Sequence, residues 1–589
     1  MFNSENRTIE KLNIFLDENL DNSSLSLDSL YKEIGISRTQ LHRIVKENTH
    51  LPITLYIRKR RLNRAKTLLS NTDIRISEAA DAVGISSPQN FSKYFVEEFN
   101  ISPSDFKKQF QYDENTITSP EPASHSIAVL PFVNMSADLE QDYFSDGISE
   151  EIINMLTQIQ RLKVSGRTSS FAFKGQNIDL RQIGKQLNVN HILEGSVRKS
   201  GNKLRITAQL IKVEDGYHVW SEKFDRNMED IFDIQDEISL KILNEVKIQL
   251  FEEEKVSVLK RYTDNPKAYQ LYLHGRFYHN KFAGLEEFNK AIKYFKAAIA
   301  LEPDYALAFS GIASCYLNLW FYRHLPPEKS LPLMQQATEK SLQLDDKLVE
   351  SHIAIARMKM LYEWNFEGAE IAFQKALSFN ANVAEVNGQY ALFLALSDKH
   401  TEAKKQVILS LEKDPFSLIN NFYAGYVYWL AEELDNAIEQ GRQLVELEPN
   451  FWGGHILVGF NLITHKKYEE ALESLEMALF YNLSGITLSA CGVLFALSGD
   501  TERAFEIIRQ MNFVSKTQPV YAYDFGVVYA CLGDVDTARE YFKKAINKHE
   551  PPMLFFKYIL RDWLPNAQND VRYLDFVGAI NNRPQMLRI

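Results

Sequence analysis

Three polar side chains, Gln89, Asn90 and Lys93, are spaced so that a helix would carry them on one outward face. The two amides can each donate and accept hydrogen bonds, and the lysine adds a positive charge. The residues before them, Ser87 and Pro88, are a typical N-cap followed by a proline at the first helical position. This spacing predicts a helix with a defined start whose polar face meets a ligand with hydrogen-bonding edges.

The elements that would position this helix lie between Ile76 and Lys108. Two short helical patterns there are joined at Gly84, and apolar side chains on both would pack the helices together. These apolar residues are Ala80, Val83, Phe91, Tyr94, Phe95 and Phe99. A helix pair with a short glycine turn and polar groups on its second member is how proteins present a helix to the DNA major groove. We therefore expect this segment to bind DNA.

The same pattern occurs earlier in the chain. Ser26 can cap a helix through Ile34, which Gly35 ends. Ser37 and Gln40 can form a capping box on the next helix. Four pairs of residues are 50 positions apart: Ser37 and Ser87, Leu41 and Phe91, Arg43 and Lys93, and Val45 and Phe95. We therefore expect two tandem helix-turn-helix units, forming an all-α domain over residues 8–110.

Between the two units, residues 53–69 have the spacing of one amphipathic helix. Its predicted apolar set is Leu55, Ile57, Leu62, Ala65, Leu68 and Leu69. A rigid connecting helix could hold two recognition helices about one DNA turn apart, roughly 34 Å.

Positive charge is concentrated in residues 38–66, although the whole chain has a net charge of −11. Nine basic side chains there oppose Glu47 alone, and such a patch neutralises phosphates and releases counterions. The alternative is that a basic run is only a solvated surface. The expected phosphate-binding residues are Arg38, Lys46, Arg58, Arg61 and Arg64.

These residues together resemble the C-terminal DNA-binding domain of AraC/XylS-type transcription regulators. The second unit carries the residues of the family signature: Ala80, Gly84, Ile85, Phe91, Ser92, Phe95, Phe99, Ser102, Pro103 and Phe106. Two positions depart from it. Val96 stands where a basic residue is usual, which removes one expected phosphate contact, and Asn100 replaces the usual glycine. Asparagine also adopts left-handed backbone angles, so the second change is compatible with the fold.

The resemblance implies which side chains face the bases. They are Thr39, His42 and Arg43 in the first unit and Gln89, Asn90 and Lys93 in the second. The forked donors of Arg43 match O6 and N7 of guanine, while Gln89 or Asn90 could pair with N6 and N7 of adenine. For each residue taken singly, a solvated helix face is the alternative.

The length of 589 residues predicts three or four domains. Three cysteines without a CxxC pair favour a reducing cytoplasm, and no signal peptide is evident in the charged residues 1–21. Met477 to Gly499 carries no charged residue and is long enough to span a bilayer. Polar residues interrupt its centre, so we expect two packed helices and no membrane segment.

Residues 111–125 lack an apolar period and are predicted to be a flexible linker. Alternating strand and helix patterns follow, including a hairpin of residues 191–198 and 203–213, and predict an α/β domain over residues 126–252. Phrases such as SIAVLPFVNMS and HILEGSVRKSGNKLRITAQLI resemble the TolB-like N-terminal domain.

Five polar residues of this region could suggest a reactive site: Asp146, Glu150, Glu151, Arg167 and Lys174. The region has no Walker loop, GxSxG or HExxH motif, and scattered charges on an α/β surface usually face solvent. From the sequence we expect no catalytic residue, no enzymatic activity and no cofactor.

The C-terminal half carries a repeat of about 34 residues. Ala391, Gly425, Gly459, Gly492 and Gly526 follow this period, and an alanine lies twelve residues after each. This period is typical of the tetratricopeptide helix pair, in which small residues let two helices approach closely. We expect an α-solenoid of about eight units over residues 265–552 and a capping segment over residues 553–589.

Aromatic residues in the array are attributed to packing between repeats, with a ligand cage as the alternative. His274 and His279 are five residues apart, which fits one helical face poorly, so no metal site is predicted. The concave face is expected to bind a protein or peptide.

The sequence thus predicts a multidomain, mainly α protein that regulates transcription in the cytoplasm by binding double-stranded DNA, with a homodimer as one expected assembly. The alternative is an interaction scaffold whose helix-turn-helix domain no longer binds DNA.

Overall fold

The computed structural model describes residues 11–12, 15–16, 19–20, 27–49, 52–71, 74–85, 87–99, 102–104, 106–107, 125–136, 138, 141–248, 250, 252–281, 284–564, 567 and 570–581. The chain forms two compact units, Met1–Glu121 and Pro122–Ile589. Of the predicted linker, only His125 lies within the described residues.

The first unit is helical where it is described. Its helices are α1 (Leu27–Ile34), α2 (Arg38–Thr49), α3 (Ile53–Asn71), α4 (Ile76–Ala82) and α5 (Pro88–Phe99). One apolar core joins Leu12, Leu16, Leu20, Leu30, Ile34, Leu41, Val45 and Ile53. A second core joins Leu62, Ala65, Leu69, Ala79, Ala80, Val83, Ile85, Phe91, Phe95 and Phe106. Helix α3 contributes to both cores and therefore connects two similar halves, as predicted.

The predicted turns and caps are present in both halves. Gly35 and Gly84 have φ of 77° and 67°, in the left-handed region that favours glycine. The backbone N–H of Gln40 donates to Ser37 Oγ at 3.3 Å, and that of Asn90 donates to Ser87 Oγ at 3.3 Å. Ser26 and Asn100 lie outside the described residues. The prediction for Leu55 was wrong: its side chain is 37% exposed, because it points away from both cores.

The second unit begins with a mixed sheet. Its strands are β1 (Ser126–Val129), β2 (Val133–Asn134), β3 (Lys163–Val164), β4 (His191–Ser200), β5 (Lys203–Lys212) and β6 (His218–Asn227). The order is β3-β1-β4-β5-β6, with β2 beside β4. Strand β1 pairs in parallel with β3 and β4, whereas β4, β5 and β6 are antiparallel. The predicted hairpin is β4–β5, with Ser200 opposite Lys203.

Helices cover both faces of this sheet. They are α6 (Asp142–Thr157), α7 (Arg167–Phe171), α8 (Leu180–Gln186), α9 (Ile231–Glu245) and α10 (Glu252–Val258). Apolar residues of α6 and α9 share one core with β1, β4 and β5, while α8 packs on the opposite face. Helix α6 starts earlier than the predicted residue 148, because Tyr143 and Phe144 are buried and extend its apolar face.

Consecutive helix pairs follow. Their helices are α11 (Pro266–Asn280), α12 (Leu285–Leu301), α13 (Ala306–Phe321), α14 (Pro327–Leu344), α15 (Val349–Leu361), α16 (Phe366–Phe379), α17 (Ala384–Leu396), α18 (His400–Lys413), α19 (Leu418–Leu430), α20 (Leu434–Leu447), α21 (Trp452–Thr464), α22 (Tyr468–Tyr481), α23 (Gly485–Leu497), α24 (Thr501–Val514), α25 (Ala522–Cys531) and α26 (Val535–Asn547). Two helices end the described chain, α27 (Phe556–Asp562) and α28 (Val571–Asn581). The pairs share their apolar core with the α6–α9 face of the sheet, so sheet and repeats form one unit.

The periodic small residues lie where helices approach closely. A Cβ on Gly425 would stand 2.0 Å from Leu457 Cδ2, and one on Gly459 would stand 2.4 Å from Leu475 Cδ2. The alanines of the second helices, such as Ala403 and Ala437, are fully buried. These contacts explain the 34-residue period physically, and the structure has tetratricopeptide-like repeats.

The uncharged residues 477–499 do not form one helix. Helix α22 ends at Tyr481 and α23 starts at Gly485, after a capping box made by Ser484 and Thr487. Across the described residues, no helix combines the length and apolar character needed to cross a bilayer.

Candidate nucleic-acid interface

Helix α5 has one buried and one exposed face. Phe91 and Phe95 are fully buried against α3 and α4, and their rings lie 5.6 Å apart between centroids. Gln89, Asn90 and Lys93 are exposed on the other side of the helix. The Ser87 cap and the turn at Gly84 fix where the helix starts, so the three polar residues stand together at its N-terminal end.

Helix α2 is the equivalent helix of the first half. Leu41 and Val45 are buried, whereas Arg43 is exposed. His42 is half-buried, and its Nε2 lies 2.8 Å from the hydroxyl of Tyr31 on α1. The side chain of Thr39 lies outside the described residues. The structure thus places Arg43 at the surface and holds His42 against the neighbouring helix.

The predicted phosphate-binding residues fall into two groups. Arg38, Lys46 and Arg64 are exposed. Arg58 and Arg61 are half-buried and make contacts within the domain. The guanidinium of Arg58 lies 4.3 Å from the ring centroid of Tyr94 on α5, a cation–π contact.

Arg61 joins the connecting helix to the second turn. Its Nη1 donates to the carbonyl oxygen of Gly84 at 3.0 Å, and burial lowers its pKa. Lys59, on the same helix, forms an ion pair of 3.1 Å with Glu98 on α5. Contacts between α3 and α5 therefore set the orientation of α5. Sequence reasoning missed this role of Arg61, because no local spacing relates it to a residue 23 positions away.

A recess lies between α3, the Gly84 turn and the start of α5. Its lining residues are Thr54, Ile57, Arg58, Arg61, Gly84, Ile85, Ser87, Asn90 and Tyr94. Asn90 belongs both to this recess and to the exposed polar face of α5. The basic connecting helix and the polar end of α5 therefore form one continuous surface.

Four of the five polar residues that could suggest a reactive site are held in ion pairs. Glu150 accepts hydrogen bonds from Arg167 Nε at 2.8 Å, Arg276 Nε at 2.8 Å and Asn280 Nδ2 at 2.9 Å. Burial alone would raise the pKa of Glu150, but Arg276 and Arg167 hold it at about 2. Lys174 Nζ donates to Asp146 Oδ1 at 2.7 Å. Burial and the neighbouring Glu150 raise the pKa of Glu151 to about 7.

Two family models match the chain. Residues 30–109 match a helix-turn-helix domain, and residues 123–241 match the second domain of HilA/YgeH-like transcriptional regulators.

Curated relatives match different shares of the chain. Regulatory protein SoxS of Salmonella typhimurium is 36% identical over 104 residues, which are 18% of this chain and 96% of that protein. Putative adenylate cyclase 3 of Rhizobium meliloti is 39% identical over 203 residues, which are 34% of each chain. The chain thus spans about a third of that relative's length. Among solved structures, the tetratricopeptide protein YrrB is 18% identical with a TM-score of 0.24, over 33% of this chain and 96% of that chain.

The expectation of no enzymatic activity requires correction. A relative with 39% identity carries the name of an enzyme, so the missing motifs did not justify excluding enzymes. Motif searches detect only local signatures, whereas a catalytic site can be assembled from residues far apart in sequence.

Two observations identify the family. The residues of the Gly84 turn and of α5 lie within the matched helix-turn-helix domain. The chain also covers nearly all of SoxS at 36% identity. The chain therefore belongs to the AraC family of helix-turn-helix transcription regulators.

Proposed function

We propose that the protein is a sequence-specific regulator of transcription that binds double-stranded DNA through residues 8–110. The observation that carries this proposal is the division of α5 into a buried face and an exposed one. Phe91 and Phe95 anchor the helix, while Gln89, Asn90 and Lys93 face outward at its start. A helix held in this way can enter the major groove without leaving apolar side chains in water.

The side chains have separate roles in this proposal. Arg43 pairs with guanine, and Gln89 or Asn90 pairs with adenine, because their donors and acceptors match the major-groove edges. Thr39, His42 and Lys93 complete the base-facing set. Arg38, Lys46 and Arg64 contact phosphates directly, since they are exposed. Arg58 and Arg61 line the recess beside α5 and add positive charge to the phosphate-binding surface.

In this proposal the second unit binds the partner of the regulator. We propose that residues 126–252 are a TolB-like domain and that residues 265–552 form about eight tetratricopeptide units that bind a protein or peptide. Self-association of this unit would give a homodimer. A regulator of this kind would act in the cytoplasm, where its DNA is.

Selection from a pool of randomised duplexes tests the proposal with the full-length protein. We expect one enriched sequence, bound with an affinity that falls steeply as salt rises. If selection under several salt conditions enriches no sequence, the protein is better described by the alternative, a scaffold that does not read DNA.

A further inference from the structure

Residues 549–563 leave the last helix pair and run back across earlier pairs. His549 Nδ1 lies 2.9 Å from the carbonyl oxygen of Tyr362, beyond α15. Tyr558 donates its hydroxyl to the carbonyl oxygen of Ala395 at 3.1 Å, at the end of α17. Trp563 Nε1 donates to Thr464 Oγ1 at 3.2 Å, at the end of α21. The segment therefore follows the third, fourth, fifth and sixth pairs in order.

The turns that the segment contacts recur with the 34-residue period of the array. Trp364, Asp398 and Glu432 are 34 residues apart, and each has a positive φ, of 52°, 60° and 65°. Each lies in the turn between the two helices of its pair. We call these turns, from Tyr362 to Lys466, the turn row. Because its members are equivalent, a chain that runs along the row meets a similar backbone at every step.

Polar contacts at the turn row use charges of opposite sign. Lys557 Nζ donates to both carboxylate oxygens of Asp398, at 2.7 and 2.6 Å. Arg561 donates to the carbonyl oxygens of Trp429 and Leu430, at 3.2 and 3.4 Å, and lies 3.3 Å from Glu432. Those carbonyls end α19, where the helix dipole is negative and favours a cation.

Aromatic contacts also join the segment to the turn row. The ring of Phe555 stacks on Trp429 with 6.0 Å between centroids and lies 5.5 Å from Tyr426. Trp563 packs at 5.3 Å from Phe460. Trp429 Nε1 donates to Asp562 Oδ2 at 2.7 Å, so this acidic residue of the segment is also bound to the array. Tyr558 and Trp563 are only 4% and 6% exposed, which shows that the segment is seated in the array.

Both ends of the segment are tied to the last pair. Glu550 accepts hydrogen bonds from the backbone N–H groups of Ala522 and Tyr523, at 3.1 and 2.9 Å. Helix α28 contacts α26. The segment, which includes α27, is therefore tethered at both ends. It packs on the last pair, where the ring of Phe556 lies 4.7 Å from that of Phe542, and it also lies on four earlier pairs.

We propose that the turn row of the third to sixth pairs is a peptide-binding site which residues 549–563 occupy in cis. The partner that enters this site carries the same chemistry, with aromatic residues around a lysine and an arginine and an Asp-Trp at the end. This deepens the partner-binding part of the proposed function and rests on it. A tethered segment has a high effective concentration, so an external peptide binds the wild type more weakly than a variant whose cis contacts are weakened, and it displaces the segment only at high peptide concentration.

The test uses a fluorescent synthetic peptide with the sequence of residues 551–564 and the full-length protein. In the variant Lys557→Ala/Arg561→Ala the segment loses its two cations, while the turn row keeps every residue. We expect this variant to bind the peptide at least about tenfold more tightly than the wild type, as measured by fluorescence anisotropy. A peptide carrying the same two alanines should bind at least about tenfold more weakly than the unchanged peptide.

The matched control is Arg509→Ala/Lys543→Ala, which removes two cations from exposed pairs with Glu506 and Glu540. It should bind the peptide as weakly as the wild type. Equal binding by the opened variant and the wild type would overturn the proposal.

Hydrogen exchange of the wild-type protein gives an answer even if the opened variant does not fold. Saturating peptide should speed exchange in residues 551–563, and unchanged exchange in the segment would overturn the proposal. Neither measurement involves DNA, so its failure is distinct from a failure of DNA binding.

Discussion

The guanidinium of Arg61 donates to the carbonyl oxygen of Gly84 at 3.0 Å, joining the connecting helix to the turn before α5. A Cβ on Gly84 would stand 2.7 Å from the carbonyl oxygen of Leu20, which belongs to the core of the first half. One turn therefore meets both the connecting helix and the other half. This junction fixes how the two candidate recognition helices are oriented relative to each other.

Replacing Gly84 with alanine should disturb this junction. The added Cβ meets a backbone oxygen that a side-chain rotation cannot move, and φ of 67° is itself unfavourable for alanine by about 1–2 kcal/mol. We expect faster hydrogen exchange in α4 and α5 of the full-length protein and weaker DNA binding. Gly35→Ala is the matched control, because its φ is 77° and no described atom lies within 4 Å of the new Cβ. Equal effects of the two variants on hydrogen exchange and on DNA binding would mean that the contact with Leu20 does not contribute to the stability of the junction.

The two proposed classes of DNA contact should respond differently to substitution. Arg43→Ala should relax sequence preference at one base pair, at a cost of about 1–3 kcal/mol in discrimination. Arg64→Ala, on the connecting helix, should weaken binding to all sequences and lower the salt slope by about one. Binding titrations with matched and mismatched duplexes at several salt concentrations separate the two outcomes. An unchanged sequence preference in Arg43→Ala would show that this residue does not read a base.

Local spacing predicted the parts of the fold that depend on neighbouring residues. The Ser37 and Ser87 caps, the hairpin β4–β5 and the buried alanines of the repeats all leave a periodic or short-range signature. Long-range contacts leave no such signature in the sequence. Arg61 meets a turn 23 residues away, Arg276 meets Glu150 across 126 residues, and His549 meets Tyr362 across 187 residues.

The candidate DNA-binding site shows the same limit of prediction from local spacing. Amphipathic spacing placed Gln89, Asn90 and Lys93 on the exposed face, but it could not show that Arg61 is partly buried. The sequence also predicted a capping segment over residues 553–589, but it gave no sign that residues 549–563 contact the third to sixth pairs. A segment tethered at both ends has no sequence pattern that reveals where its middle docks.

The ion pair between Glu150 and Arg276 should make the second unit sensitive to acid. The pKa of Glu150 is lowered to about 2 from an ordinary value of 4.5, so the ion pair contributes its full stabilisation of the fold above about pH 4.5. That contribution is lost as pH falls from 4.5 towards 2. Arg276→Met should raise the pKa of Glu150, so the free energy of unfolding should depend less on pH between 4.5 and 2. At neutral pH the substitution should cost about 3 kcal/mol of this free energy.

Tryptophan fluorescence during urea unfolding measures this stability, because all six tryptophans lie in the second unit. The double variant Glu150→Gln/Arg276→Met is the control, since it removes both charges of this ion pair. It should be less destabilised than the sum of the two single variants. Strict additivity would contradict a direct interaction between the two side chains.

The close packing of the repeats can be tested with one chemical change at two sites. Gly425→Ala places a Cβ 2.0 Å from Cδ2 of Leu457, and that leucine is buried and cannot turn into solvent. Overpacking of this kind should cost about 1–3 kcal/mol in the free energy of unfolding. Gly578→Ala, in α28, adds the same methyl group where no described atom lies within 4 Å, and it should stabilise its helix by about 0.5–1 kcal/mol. Opposite shifts in the urea midpoint, followed by tryptophan fluorescence, are the expected result. A stabilising Gly425→Ala would show that the 34-residue glycine period does not arise from close helix contact.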